Sequence, residues 1–170
     1  MPVTNVYAAG ERVPSQCHRG PLHCRRSMLC PECRNALIIV ECDRVEVDAC
    51  WKGHGLWFDA DELRQLFEVA GVPDSLHDLE QRLGELPEGG TGRKRKCPRC
   101  HAKMRHVKAP GGSGDVILDR CPHGHGLWFD DGELAEVLSA DLAEGTAAFD
   151  TLRQYLGGFV KPKRKRDEET

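Results

Sequence analysis

Two short patterns of cysteine and histidine each occur twice in this chain. Cys30-Pro31-Glu32-Cys33 returns 67 residues later as Cys97-Pro98-Arg99-Cys100, and Cys50-Trp51-Lys52-Gly53-His54 returns 71 residues later as Cys121-Pro122-His123-Gly124-His125. A Cys-x2-Cys turn offers two thiolates from one tight knuckle, and a second knuckle across a hairpin supplies the remaining corners of a tetrahedron, the closed geometry of structural zinc. The spacing assigns Cys30, Cys33, Cys50 and His54 to a first metal site and Cys97, Cys100, Cys121 and His125 to a second, which makes two zinc ions per chain. His123 competes with His125 for the last corner. The repeat arbitrates, because His125 matches His54 whereas His123 matches Lys52, which cannot serve; His123 then reads as an exposed polar side chain. Iron fits the same corners, but a mixed Cys/His set favours zinc. Metal held in this way contributes to folding outright, on the order of 10–16 kcal/mol per zinc in isolated finger peptides.

The alternative use of nine cysteines is a disulfide framework, and an odd number leaves one over. The opening residues, Met1 to Gln16, lack a basic stretch followed by an apolar core, and no run of about 18 apolar residues occurs anywhere. Neither secretion nor membrane spanning is expected. The expected compartment is a reducing cytoplasm, where paired Cys-x2-Cys turns read as metal ligands.

Metal is also what the composition calls for. Of 170 residues, 39% are apolar and 30% charged, against a usual apolar share of about 45–50%, so the hydrophobic interior cannot be large. Each spacer between knuckles reads as a hairpin. Ala36 to Val40 and Arg44 to Val47 are apolar, β-prone runs turning near Cys42-Asp43; Lys103 to Val107 and Val116 to Leu118 are their counterparts. The four extra residues of the second copy fall in Ala109-Pro110-Gly111-Gly112-Ser113-Gly114, a flexible loop by composition. After each second knuckle the chain runs through Gly-Leu-Trp-Phe-Asp into a helix. Asp59 with Glu62, and Asp130 with Glu133, have the spacing of a capping box. Leu63, Leu66, Phe67 and Ala70 share one helical face, as do Leu134, Val137 and Leu138. Trp57 and Trp128 are expected in the core, packing these helices onto their ribbons. A further amphipathic helix is predicted between Pro73 and Leu86, capped at Asp74 or Ser75, and a last one from about Thr146 to Tyr155.

The fold expected is therefore a small, metal-stabilised α+β protein. It divides into an N-terminal arm (1–27), a first zinc ribbon with its helix (28–71), a helical linker (72–92), a second ribbon with its helix (93–143), a C-terminal helix (144–160) and a charged, disordered tail (161–170).

Both copies, CPEC…CWKGHGLWFDADEL and CPRC…CPHGHGLWFDDGEL, resemble the transcription-factor-IIB-type zinc finger of prokaryotes, whose pattern runs CPxC and then CPxCGGxWLDxxEL. The resemblance covers roughly residues 28–69 and 95–139. It implies a zinc ribbon and an association with transcription machinery. The chain departs from the pattern at one place, where Gly53 and Gly124 stand at the fourth cysteine and His54 and His125 follow one residue later. An imidazole reaches farther than a thiol and fills that corner.

Cys17, His18, His23 and Cys24 are left over at the front, with Cys42 in the first hairpin. The first four are candidates for a third metal site, or for a redox pair at Cys17 and Cys24, whose pKa neighbouring Arg19, Arg25 and Arg26 would lower. Cys42 reads as structural. Net charge is −3 but unevenly spread. Arg93, Lys94, Arg95, Lys96, Arg99, Lys103, Arg105 and Lys108 form a run of eight bases without an acid, and Lys163, Arg164, Lys165 and Arg166 make a basic tail. Nine acids face two arginines between Asp59 and Gly90, and seven acids face no base between Asp130 and Asp150. A basic second ribbon with a basic tail suits a phosphate backbone.

Closed four-ligand sites leave no position for water or substrate, and no nucleophilic triad or phosphate loop is present. The sequence thus predicts a non-catalytic module without a small-molecule substrate. Its expected partner is nucleic acid or RNA-polymerase-type machinery; the alternatives are an adaptor that binds protein through its acidic helices and a zinc-responsive or redox switch.

Overall fold

Alternation of side chains decides how the chain layers itself. In a computed structural model, which describes residues 28–143 and 145–159, strands β1 (Ile38–Cys42) and β2 (Val45–Ala49) form the first hairpin, with Cys42 opposite Val45. Asp43 turns the chain at φ 57°, a left-handed position that aspartate tolerates better than most residues. In the second copy β4 (Arg105–Ala109) pairs with β5 (Val116–Arg120) across the longer glycine loop. β5 starts at Val116 as expected, the other three strands start one or two residues later than their apolar runs suggest, and all four end two residues later.

The Gly-Leu-Trp-Phe-Asp segments, expected only as the approach to a helix, are strands: β3 (Gly55–Asp59) and β6 (Gly126–Asp130). They pair with each other, antiparallel, with Trp57 opposite Trp128 and each glycine opposite the other strand's aspartate. The two ribbons thereby fuse into one six-stranded sheet in the order β1-β2-β3-β6-β5-β4, related by an approximate twofold axis through the tryptophan pair. Gly55 and Gly126 make that seam close, because a Cβ on either would overlap a backbone carbonyl oxygen of the opposite strand, Phe129 or Phe58.

One sheet face is covered by α1 (Glu62–Ala70), α2 (Leu79–Glu85), α3 (Glu133–Ser139) and α4 (Ala147–Leu156). Leu56, Phe58, Leu127 and Phe129 point into this core among the helical leucines. Phe58 and Phe129 meet edge to face at 5.7 Å, an arrangement that adds about 0.5–1.5 kcal/mol to their burial. Trp57 and Trp128, one residue out of step, point to the other face. They are fully buried there, but against Cys30, Cys50, Cys97, Met104 and Cys121 and not against the helices, which corrects the packing expected of them.

The capping boxes form only by half. Glu62 and Glu133 each accept the backbone N–H of Asp59 and Asp130 at 2.9 Å, yet neither aspartate caps a helix. Their carboxylates accept the indole N–H groups of Trp57 and Trp128 at 2.8 Å, because residues two apart on a strand share a face. The helices start instead from left-handed turns at Asp61 (φ 72°) and Gly132 (φ 80°). The linker divides into a 3-10 turn at Asp74–Leu76 and the short α2; the carbonyls of Leu83 and Gly84 near its end, and of Leu86 just beyond it, accept from Arg120. Thr146 caps α4 as its hydroxyl accepts the Phe149 N–H at 3.3 Å. Cys42 is buried in the helix-side core, where desolvation raises its pKa to about 11.

Candidate metal centres

Each knuckle is a tight turn closed by its own backbone. Arg34 N–H donates to the Cys30 carbonyl at 3.0 Å, and His101 N–H to that of Cys97 at 2.9 Å, with Arg34 and His101 both left-handed at φ 63° and 62°. Gly53 and Gly124 close the second knuckles by donating to Cys50 and Cys121, and their φ values of 78° and 71° explain why glycine stands there. These turns aim four side chains at one point in each copy: Cys30, Cys33, Cys50 and His54, and Cys97, Cys100, Cys121 and His125, every ligand atom of a set lying within 4.8 Å of the others.

The edges of the two polyhedra test the fit to zinc. With Zn–S near 2.3 Å and Zn–N near 2.0 Å, a tetrahedron has S···S edges of about 3.8 Å and S···N edges of about 3.5 Å. Cys33 and Cys50 sulfurs are 3.7 Å apart, those of Cys100 and Cys121 are 3.6 Å apart, and the Nδ1···Sγ distances are 3.3 Å (Cys50–His54), 3.8 Å (Cys30–His54) and 3.4 Å (Cys121–His125). The spacing suits two zinc ions, and the cysteines involved are free of disulfides. Burial pushes the inner thiols of Cys30 and Cys97 up to about 12. At Cys33 and Cys100 burial also acts upward but is outweighed, by the Asn35 N–H and neighbouring thiols at the first and by His123 before the Ala102 N–H at the second, so both fall to about 6. A bound dication would deprotonate all six, which ties metal affinity to pH.

What stands behind the ligands crosses between the copies. The His54 carbonyl accepts from Asp131 N–H at 3.1 Å and the His125 carbonyl from Ala60 N–H at 3.0 Å, so each ligating histidine is anchored to the other ribbon. Arg99, in the second copy's first knuckle, reaches Asp59 at 2.5 Å. The twofold-related positions are Glu32 and Asp130, two acids that cannot pair. Arg95 enters between them, 3.0 Å from Glu32, 3.0 Å from Asp130 and 2.8 Å from the buried Asp119, and this triple pairing outweighs its partial burial to raise its pKa.

Arg95 is therefore a clip between the ribbons, 23% exposed, and not the free base that the charge run suggests. Arg99 is held by Asp59, Arg105 by Glu88 at 2.7 Å and Lys108 by Asp115 at 2.6 Å. Arg93, Lys94, Lys96 and Lys103 remain on the surface. Lys94, Lys96 and Lys103 make no ion pair within the described residues, and Lys96 stands directly opposite Lys103 in an isolated antiparallel bridge. Cys17, His18, His23, Cys24 and the tail bases Lys163, Arg164, Lys165 and Arg166 lie outside the described residues.

Two features escape the sequence reading. The clip leaves a signal, since the copies exchange Glu32 for Arg99 and Met28 for Arg95 together. His123, although exposed, places Nδ1 3.5 Å from the Cys100 sulfur. No helix among the described residues is long and apolar enough to cross a membrane.

Residues 29–69 and 96–140, just over half of the chain, match the profile of a transcription factor zinc-finger family, the zinc ribbon of the transcription-factor-IIB type. No curated protein and no solved structure matches. The two matched segments coincide with the two halves of the sheet and enclose both ligand sets.

Proposed function

The chain belongs to the transcription factor zinc-finger family, carrying its zinc ribbon twice, and from that premise we propose that it is a non-catalytic module that binds nucleic acid through the face bearing its metal knuckles. The observation that carries the proposal is the Lys96–Lys103 bridge. Like charges directly opposite on neighbouring strands destabilise the pairing. The first copy has Leu29 opposite Ala36 at the same place, so the ribbon fold itself does not need these lysines. A phosphate between them would turn that repulsion into attraction.

Further support comes from where the free bases lie. Arg95 reaches Glu32 beside the first centre, and the exposed Arg93, Lys94 and Lys96 flank it in the chain just before Cys97 of the second. The acids of α1 and α3 lie on the helix-covered side. Closed ligand sets leave no coordination position for a substrate, in keeping with a binding role.

A gel-shift titration against single- and double-stranded oligonucleotides at several salt concentrations tests this. Replacing Lys94, Lys96 and Lys103 by glutamine lowers affinity about equally for unrelated sequences and reduces the slope of log affinity against log salt by about 0.7–0.9 for each phosphate contact removed. Retention of full affinity by the triple variant contradicts the proposal.

One observation favours a protein partner instead. Ile38 (47%), Ile39 (49%) and Trp51 (61%) are the large apolar side chains left exposed among the described residues, all on the first ribbon. For an adaptor, capture of a partner survives nuclease treatment and the lysine substitutions alike.

A further inference from the structure

The two metal sites have the same four ligands but not the same surroundings. In the first copy the residue two places after the second knuckle's cysteine is Lys52, whose ammonium lies 5.3 Å over the Trp51 ring and offers a metal no lone pair in its charged form. In the second copy that residue is His123. Its backbone N–H donates to the Cys121 sulfur at 3.4 Å, its ring stands edge to face with His125 at 5.9 Å, and its Nδ1 lies 3.5 Å from the Cys100 sulfur. That distance is an edge length of the tetrahedron, yet His123 is not among the donors that all lie within 4.8 Å of one another. It stands outside the polyhedron on the Cys100 side. Cys97 and Cys121 are buried, whereas Cys100 is the partly exposed thiol of the site, the sulfur a reagent from solvent meets first.

We infer that His123 is a fifth donor of the second zinc site, able to take the corner of Cys100 so that the site keeps its metal when that thiolate is lost. The exchange is a ligand substitution. The zinc bond to the Cys100 sulfur breaks and one to the neutral imidazole nitrogen forms, changing three thiolates and one imidazole into two of each, with no change of oxidation state. The freed thiolate takes up a proton or an electrophile. Two cysteines with two histidines is an ordinary closed zinc set, so the exchanged site remains structural. The first site, with Lys52, has no such reserve.

Zinc per chain, measured by native mass spectrometry on the full-length protein, tests this. Cys100→Ala keeps two zinc ions, while Cys33→Ala and the double variant Cys100→Ala/His123→Ala both fall below two. Equal zinc loss in Cys33→Ala and Cys100→Ala, or no further loss on adding His123→Ala, overturns the inference. Should Cys100→Ala not fold, zinc-loaded wild-type and His123→Ala chains are treated with limiting iodoacetamide, the sulfur displacing iodide, and the species whose single adduct peptide mapping places on Cys100 are compared. The wild-type adduct then retains both zinc ions and the His123→Ala adduct loses one; equal loss from both overturns it.

Discussion

At the scale of single residues, the zinc ligands were legible because their chemistry is stereotyped: six cysteines and two histidines at repeated spacings admit few other uses. Arg95 was not, since a base in a run of eight looks like its neighbours until the three carboxylates around it are seen. Its removal leaves Asp119 buried beside His106, with Asp130 and Glu32 facing one another. Arg95→Met, which installs the first copy's Met28, is expected to cost about 2–4 kcal/mol in urea unfolding of the zinc-loaded protein. Adding Glu32→Arg reproduces the Arg99–Asp59 arrangement and should recover a large part of that loss. A single variant as stable as wild type, or no recovery in the double, would contradict the clip.

At the scale of elements, the hairpins and the helices after each ribbon follow from periodicity to within a residue or two, whereas the linker helix expected between Pro73 and Leu86 is a 3-10 turn followed by the short α2. The central strands did not follow. Leu-Trp-Phe is too short an apolar run to distinguish a buried strand from the lead-in to a helix, and its partner is its own repeat 71 residues away. The glycine that opens each run was the available signal, because only a bare backbone passes so near another strand. Gly126→Ala places a methyl group on the Phe58 carbonyl oxygen and should destabilise the protein by about 3 kcal/mol or more, with loss of the Trp57–Trp128 pairing. Near-UV circular dichroism reports the tryptophan environment directly. A variant with unchanged stability and an unchanged tryptophan signal would mean that the two ribbons do not share the β3–β6 seam.

On the scale of the whole molecule, two ribbons whose mutual packing the sequence leaves open form one body. Both tryptophans and four buried cysteines share a single cluster, and each ligating histidine is hydrogen-bonded to the opposite copy. Emptying either metal site therefore loosens the scaffold of the other. The most direct test is a chelator titration of the full-length protein, following zinc per chain, tryptophan fluorescence and far-UV circular dichroism in the same samples. The structure predicts two zinc ions per chain at the start, leaving in one transition that coincides with loss of the sheet and of the buried tryptophan signal. Fewer than two zinc ions in the untreated protein, or a first zinc released without change in the second site or the sheet, would contradict it.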